Sequence, residues 1–154
     1  MPGQWIERGS NNLAGRIRTT DVDFENDLIY CASSGGNIWR GNLDGTNWES
    51  LNDYFQIKGI HYLKRIENNG LNRLLMVNGK QCYRSDNDAL IIDEAEGLSS
   101  FQDWGWIFRT VIDNSLQHSI YLGVIEWDYS VWTHLPAIYK STDGGSSFTK
   151  IVEL

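Results

Sequence analysis

The residues of this 154-residue chain that could carry chemistry are concentrated in one segment, residues 125–136. The segment brings aromatic side chains close to carboxylates, a combination suited to bind a sugar ring or a protein ligand. With the neighbouring segment 93–104, the candidate ligand-binding residues are Trp104, Trp127, Tyr129 and Trp132 together with Glu94, Glu96, Asp103 and Asp128. The alternative interpretation is that the same rings pack the segment onto its own strands.

No other group of residues has the spacing of a catalytic or metal site. Oxygen ligands alternate between Asp21 and Asp27, but an EF-hand loop needs Gly at its sixth place and Glu at its twelfth. Asn26 and Ala32 stand there instead, so this run is interpreted as a solvated turn, with a different calcium geometry as the alternative. We therefore predict no metal and no cofactor. The other potential ligands, which lack ligand spacing, are His61, His118, His134, Cys31 and Cys82.

Composition and charge favour an all-β domain and exclude several partners. The chain has seven Trp, seven Tyr, fifteen Gly and only two Pro, and its short alternating apolar runs are bounded by Gly, Asn and Asp. A formal net charge of −7 without a basic cluster predicts no nucleic-acid partner. No apolar run approaches the length that spans a bilayer, and residues 1–5 lack the pattern of a signal peptide. Cys31 and Cys82 are expected to be buried free thiols, with a disulfide between them as the alternative.

Three similar units follow one another, and each is predicted to be a four-stranded antiparallel blade. An aromatic residue followed by a basic residue marks each third strand, at intervals near the length of one blade. Segment 125–136 is then an insertion between the second and third strands of the third unit, on the same face as the link 93–104. The marker pairs are Trp39-Arg40, Tyr83-Arg84 and Tyr139-Lys140. The predicted blades are residues 13–53, 57–98 and 104–154, with fourth strands at 47–51, 89–92 and 147–152.

The turn of the third unit, residues 141–148, is the most strongly specified element. Asp143 can accept hydrogen bonds from backbone N–H groups, and Gly145 can adopt a positive φ. The spacing S-x-D-x-G-x-[ST]-[FW] resembles the Asp-box, or BNR repeat, of sialidase-like, sortilin-like and xyloglucanase-like β-propellers. Weaker copies occupy residues 41–48 and 85–89. The matching residues are Ser141, Asp143, Gly145, Ser147 and Phe148.

This resemblance implies β-propeller blades in which the box is architectural, and an extracellular or cell-surface protein. Three blades do not close a ring, because closed propellers have about four to eight blades. Three arrangements stay open: part of a longer propeller, a ring closed by the association of chains, or a non-propeller arrangement. Residues 5–7 are expected to act as a closing strand in another blade.

The expected function is that of a non-catalytic binding or assembly module that contacts a glycan or a protein through residues 125–135. The alternative is part of a xyloglucanase-like or sialidase-like glycoside hydrolase whose catalytic carboxylates lie outside this chain. Ser34 stands where xyloglucanase-like enzymes have a catalytic Asp before a Gly-Gly pair, and Arg16-Ile17-Arg18 lacks the Pro of the sialidase motif. Inverting hydrolysis needs two carboxylates, which argues against activity in this chain alone. A third possibility is a structural, self-assembling unit.

Overall fold

The computed structural model describes residues 16–68, 70–101, 103–113 and 119–153. Its strands form three four-stranded antiparallel sheets in which strands consecutive in sequence are neighbours. Blade 1 contains β1 (Ile17–Asp23), β2 (Leu28–Ser33), β3 (Ile38–Asn42) and β4 (Glu49–Ser50). Blade 2 contains β5 (Tyr62–Asn68), β6 (Leu71–Val77), β7 (Cys82–Ser85) and β8 (Asp93–Glu94). Blade 3 follows a 3₁₀ turn (Ser99–Phe101) and contains β9 (Trp106–Ile112), β10 (Ile120–Asp128), β11 (Thr133–Ser141) and β12 (Thr149–Glu153).

Blade 2 is covered on both faces because its strands alternate apolar side chains between two cores. In β6, Leu74 and Met76 belong to a core shared with blade 1, whereas Leu75 and Val77 belong to a core shared with blade 3. Burial of each such side chain contributes about 1.5–3 kcal/mol to folding. The three sheets are therefore stacked face to face, as blades are in a propeller. The all-β fold class predicted from the sequence is confirmed.

The β11–β12 turn is stabilised by its own side chains. The Asp143 carboxylate accepts hydrogen bonds from the N–H groups of Ser146 and Ser147, both at 3.0 Å, and from the Ser147 hydroxyl at 2.6 Å. The N–H of Gly145 donates to the Ser141 hydroxyl at 2.9 Å. Gly145 has a φ of +84°, which a residue with a side chain adopts only at a cost.

Arg73 joins blade 2 to this turn. Its guanidinium forms two hydrogen bonds to the Asp86 carboxylate, at 2.6 and 2.7 Å. The same group donates to the carbonyl oxygens of Asp143 and Gly144 at 3.1 and 3.0 Å, and to the Ser146 hydroxyl at 3.1 Å. One buried side chain therefore holds the turn of blade 3 against the sheet of blade 2.

The fourth strand of blade 2 differs from the prediction. It lies at Asp93–Glu94, and the predicted span 89–92 is wrong. Asp88 and Ala89 have positive φ angles of 54° and 64°, so the chain is still turning where a strand was expected. Leu90 and Ile91 consequently extend into solvent and form no part of the core.

Three other expectations concern the cysteines, residues outside the described part of the chain, and membrane-spanning segments. Cys31 and Cys82 are buried free thiols, and burial raises the pKa of Cys31 to about 11. Residues 5–7 and His118 lie outside the described residues. Where the structure describes the chain, it has no helix with the length and apolar character needed to cross a bilayer.

Candidate ligand-binding site

The segment that carries the predicted site is an extended hairpin, residues 125–136, and not an irregular insertion. β10 and β11 stay paired beyond the other strands of blade 3, from Glu126 opposite Leu135 to Asp128 opposite Thr133. A four-residue turn closes the hairpin, and Trp132 has a φ of 53° there. Because its strands are continuously paired, the hairpin is a rigid support for the exposed side chains that it carries.

A cleft of about 300 Å³ lies beside the extended hairpin. Three of the predicted site residues, Trp127, Asp128 and Tyr129, line it. Its size is at the lower end of the range for small-molecule pockets. The remaining lining residues are Ser100, Glu126, Leu135 and Lys150.

Glu126 is the polar centre of the cleft wall, and its residue is only 9% exposed. The Tyr139 hydroxyl donates a hydrogen bond to its Oε1, and the Lys150 ammonium lies 2.5 Å from its Oε2. The Ser100 hydroxyl lies 2.8 Å from the Tyr139 hydroxyl and 3.4 Å from Glu126 Oε1. Burial, together with the bond to Glu126, raises the pKa of Tyr139, so this phenol stays protonated at neutral pH.

The aromatic side chains of the extended hairpin divide into a packed ring and exposed rings. Trp127 makes edge contacts with Tyr129 and Trp132, with ring centroids 6.4 and 6.3 Å apart, and with His134 at 4.8 Å. Tyr129 and Trp132 remain 59% and 75% exposed. Trp127 thus supports the hairpin, whereas Tyr129 and Trp132 present their rings to solvent.

Asp128 lies at the tip of the extended hairpin and is fixed locally. Its carboxylate accepts hydrogen bonds from the Ser130 hydroxyl at 2.6 Å and from the Ser130 N–H at 2.7 Å. These bonds hold the pKa of Asp128 below its usual value. Asp128 is therefore a charged acceptor at neutral pH and a poor proton donor.

The link between blades 2 and 3 is divided between two locations. The carbonyl of Trp104 lies 3.3 Å from His134 Nε2, so this end of the link meets the extended hairpin. Glu96 instead forms backbone hydrogen bonds with Ser146 and Phe148, beside the β11–β12 turn. The expectation that the whole link shares the face of the hairpin is therefore wrong.

Glu94 and Asp103 do not line the cleft. Glu94 accepts a hydrogen bond from Gln81 at 3.4 Å, and its carbonyl accepts one from Arg84 at 3.0 Å. Asp103 is exposed in the link. The structure thus brings together the members of the predicted set that belong to the hairpin and leaves these two carboxylates apart from them.

Four residues of the cleft were not predicted from the sequence as site residues: Ser100, Glu126, Leu135 and Lys150. One signal could have found Glu126: it follows Leu122 and Val124 at alternate positions and so points to the same buried face of β10. Ser100 comes from the 3₁₀ turn and meets Glu126 through packing, whereas Lys150 meets it through the pairing register of the blade 3 strands. The described residues contain no cluster of three or more His, Cys, Asp or Glu side chains that could hold a metal ion.

Three stacked four-stranded antiparallel sheets, joined as meanders, define a β-propeller type of architecture. No family model and no curated protein matches the chain. Among solved structures, the chain is similar to a chain in the crystal structure of a nidogen/laminin complex, with a TM-score of 0.59 and 14% sequence identity. The similarity covers 91% of this chain and 49% of that chain. This likeness supports a partial β-propeller fold.

Two further structures resemble the chain at a TM-score of 0.49. They are the GH74 enzyme of Niastella koreensis (10% identity, 81% of this chain and 27% of that chain) and YCF48 bound to a D1 peptide (13% identity, 92% and 54%). The chain spans about half, or less, of the length of these three proteins.

Proposed function

We propose that this chain is a non-catalytic binding module of an exported or cell-surface protein, and that it binds a glycan at the extended hairpin. The observation that carries the proposal is the exposure of Tyr129 and Trp132 beside the cleft. Both residues lie in the turn that closes the hairpin, where each ring contacts Trp127, so they lose little conformational freedom on binding. Their ring faces match the apolar faces of sugar rings.

The polar groups of the cleft suit sugar hydroxyls. Asp128 supplies a charged acceptor, and Lys150 and Ser100, which also line the cleft, supply hydrogen-bond donors. A cleft of about 300 Å³ favours a sugar unit over a broad, flat protein surface. A protein ligand at the same hairpin is the second candidate.

The charges of the cleft argue against hydrolysis within this chain. A glycosidase needs one carboxylic acid with a raised pKa to protonate the leaving oxygen. The Ser130 bonds lower the pKa of Asp128. The two carboxylate oxygens of Glu126 are already bonded to the Tyr139 hydroxyl and the Lys150 ammonium. Ser34, which stands at the position of the xyloglucanase-like Asp, is not among the cleft residues.

The test is a screen of the purified chain on a glycan array, followed by calorimetric titration of the best glycan. Trp132→Ala and Tyr129→Ala should each weaken binding by about tenfold or more, because an exposed ring at a binding site is a typical hot spot. Phe24→Ala is the matched control: Phe24 is also an exposed aromatic residue, but it lies in the β1–β2 turn of blade 1 and belongs to neither the hairpin nor the cleft lining, so binding should be unchanged.

Three results would contradict the proposal. Binding that is insensitive to the Tyr129 and Trp132 changes would place the ligand elsewhere. Turnover of the bound glycan by the chain alone would show an enzyme. Absence of glycan binding, together with capture of a defined protein that depends on Trp132, would favour the second candidate.

A further inference from the structure

The two blade interfaces use equivalent strand positions. The strand register pairs Tyr30 with Arg40 in blade 1, and it pairs Leu75 with Arg84 in blade 2. Side chains at these positions face the blade that follows, since Tyr30 belongs to the core shared with blade 2 and Leu75 to the core shared with blade 3. The register of blade 3 puts Tyr121 and Lys140 at the same positions.

In blade 1, the side chains of this pair, Tyr30 and Arg40, bind a carboxylate of blade 2. Arg40 lies 2.6 Å from Asp88, in the β7–β8 turn, and the Tyr30 hydroxyl donates to Asp88 at 3.3 Å. Arg65 of blade 2 completes the cluster, 3.0 Å from Asp88 and hydrogen-bonded to Tyr30. A cation and a tyrosine at these two positions therefore constitute a receptor for an acidic turn.

Blade 3 presents the same pair on a face that no described strand covers. The Lys140 ammonium lies 5.5 Å from the centre of the Tyr121 ring. Large apolar side chains that are roughly half exposed surround the pair on this sheet, and an apolar patch of this kind marks an interaction surface. We call this surface the blade 3 free face; its exposed members are Trp106, Phe108, Val111 and Ile151.

Blade 1 carries an acidic turn that matches this receptor. Gly41 is paired with Ile29 as Ser85 is paired with Leu74, so Asp44, three residues after Gly41, stands at the place of Asp88. The Asp44 carboxylate accepts hydrogen bonds from the Thr46 N–H at 3.0 Å and the Thr46 hydroxyl at 2.6 Å. Asp44 nevertheless remains exposed at the tip of the turn.

We propose that the blade 3 free face binds blade 1 of a second copy of this chain, with Lys140 of one copy paired with Asp44 of the other. Two such contacts, related by a two-fold axis, close a ring of six blades. Charge complementarity at equivalent positions selects this occupant.

The test measures the mass of the intact chain by light scattering and sedimentation over a dilution series. The unaltered chain should have twice the mass of one chain. Lys140→Glu and Asp44→Lys should each raise the dimer dissociation constant by about tenfold or more, because each places like charges in contact. The double variant K140E/D44K restores the opposite charges and should restore the dimer.

Lys58→Glu provides the matched control, since Lys58 is exposed in the link between blades 1 and 2 and lies on neither surface. Thermal unfolding shows whether each variant is folded, so a loss of mass can be separated from a loss of structure. A monomer at every concentration overturns the proposal. So does a mass that grows beyond two chains, or a failure of the double variant to recover the dimer.

Discussion

The sharpest prediction concerns Arg73, the side chain that connects blade 2 to the β11–β12 turn. Arg73→Ala removes the donor to the buried Gly144 carbonyl, to the Asp143 carbonyl and to the Asp86 carboxylate. A buried acceptor left without its donor costs about 1–3 kcal/mol. Asp86 is about one-third exposed, so in the variant water partly replaces the hydrogen bonds that its carboxylate loses.

The expected loss in the free energy of unfolding is about 3–4 kcal/mol, measured by urea denaturation at neutral pH. Arg73→Lys should recover less than half of this loss, because an ammonium cannot bind the carboxylate with two parallel hydrogen bonds. The change should also weaken the packing of blade 3 on blade 2, since the same turn contributes Phe148 to their shared core.

Arg84 provides the control within the same blade. Its ion pair with Asp93 is long, at 3.8 Å, and Asp93 is 60% exposed. Arg84→Ala should therefore cost less than about 1 kcal/mol. If the Arg73 and Arg84 variants lost equal stability, the reasoning that a buried arginine fastens the turn would be refuted.

Two further predictions concern the turn and the link beside it. Burial acts to raise the pKa of Asp143, but hydrogen bonds from Ser147, Ser141 and Ser146 outweigh it and lower the pKa below 3.8. The stabilisation from this carboxylate is therefore present above pH 3.8 and lost as the pH falls through the lowered pKa. In urea denaturation at a series of pH values, the stability difference between the unaltered chain and Asp143→Asn should shrink in that range. A difference that stays constant with pH would contradict this prediction. Gly97 has a φ of +82° and an added Cβ would lie 2.1 Å from the Phe148 carbonyl oxygen, so Gly97→Ala should cost about 3 kcal/mol or more in thermal and urea unfolding. Gly79→Ala, where a Cβ meets nothing within 4 Å, should cost less than about 1 kcal/mol, and equal losses would refute the steric argument.

The sequence indicated the sheets better than it indicated their edges. Alternating apolar residues in β10 and the aromatic–basic pairs of the third strands located the inner strands of each blade. The fourth strand of blade 2 was predicted at the wrong residues because Leu90 and Ile91 are apolar residues of the kind found in strands. The positive φ angles of Asp88 and Ala89 keep the chain in a turn there, and alanine is a residue type that rarely adopts such an angle.

The degraded turn of blade 2 shows how one geometry tolerates two sequences. The N–H of Ala89 donates to the Ser85 hydroxyl at 2.9 Å, the same distance as between Gly145 and Ser141. Asn87 accepts from the Ser85 hydroxyl, as Asp143 accepts from Ser141. The opening serine therefore preserves the turn in blade 2, although the glycine and the closing aromatic residue are missing.

The candidate site was predictable only where it is local. Trp127, Asp128 and Tyr129 meet because they are neighbours on one hairpin, and the sequence shows that directly. Glu126 and Lys150 meet because β10, β11 and β12 pair in a particular register, which a single sequence does not specify. Glu94 was included because the link 93–104 was expected to share the face of the hairpin, but it belongs to the edge strand of blade 2.

The two proposed surfaces are adjacent, and His134 lies between them. Its ring centroid is 5.2 Å from that of Trp106, on the blade 3 free face, and 4.8 Å from that of Trp127, in the cleft wall. A second copy that covers Trp106 would therefore restrict the rings that support Trp127. Glycan affinity should therefore be compared between the dimeric protein and the monomeric K140E variant. Only then can the effect of a substitution in the cleft be separated from an effect of dimer formation. Equal affinities in the two states would show that the surfaces act independently, despite the ring contacts that join them.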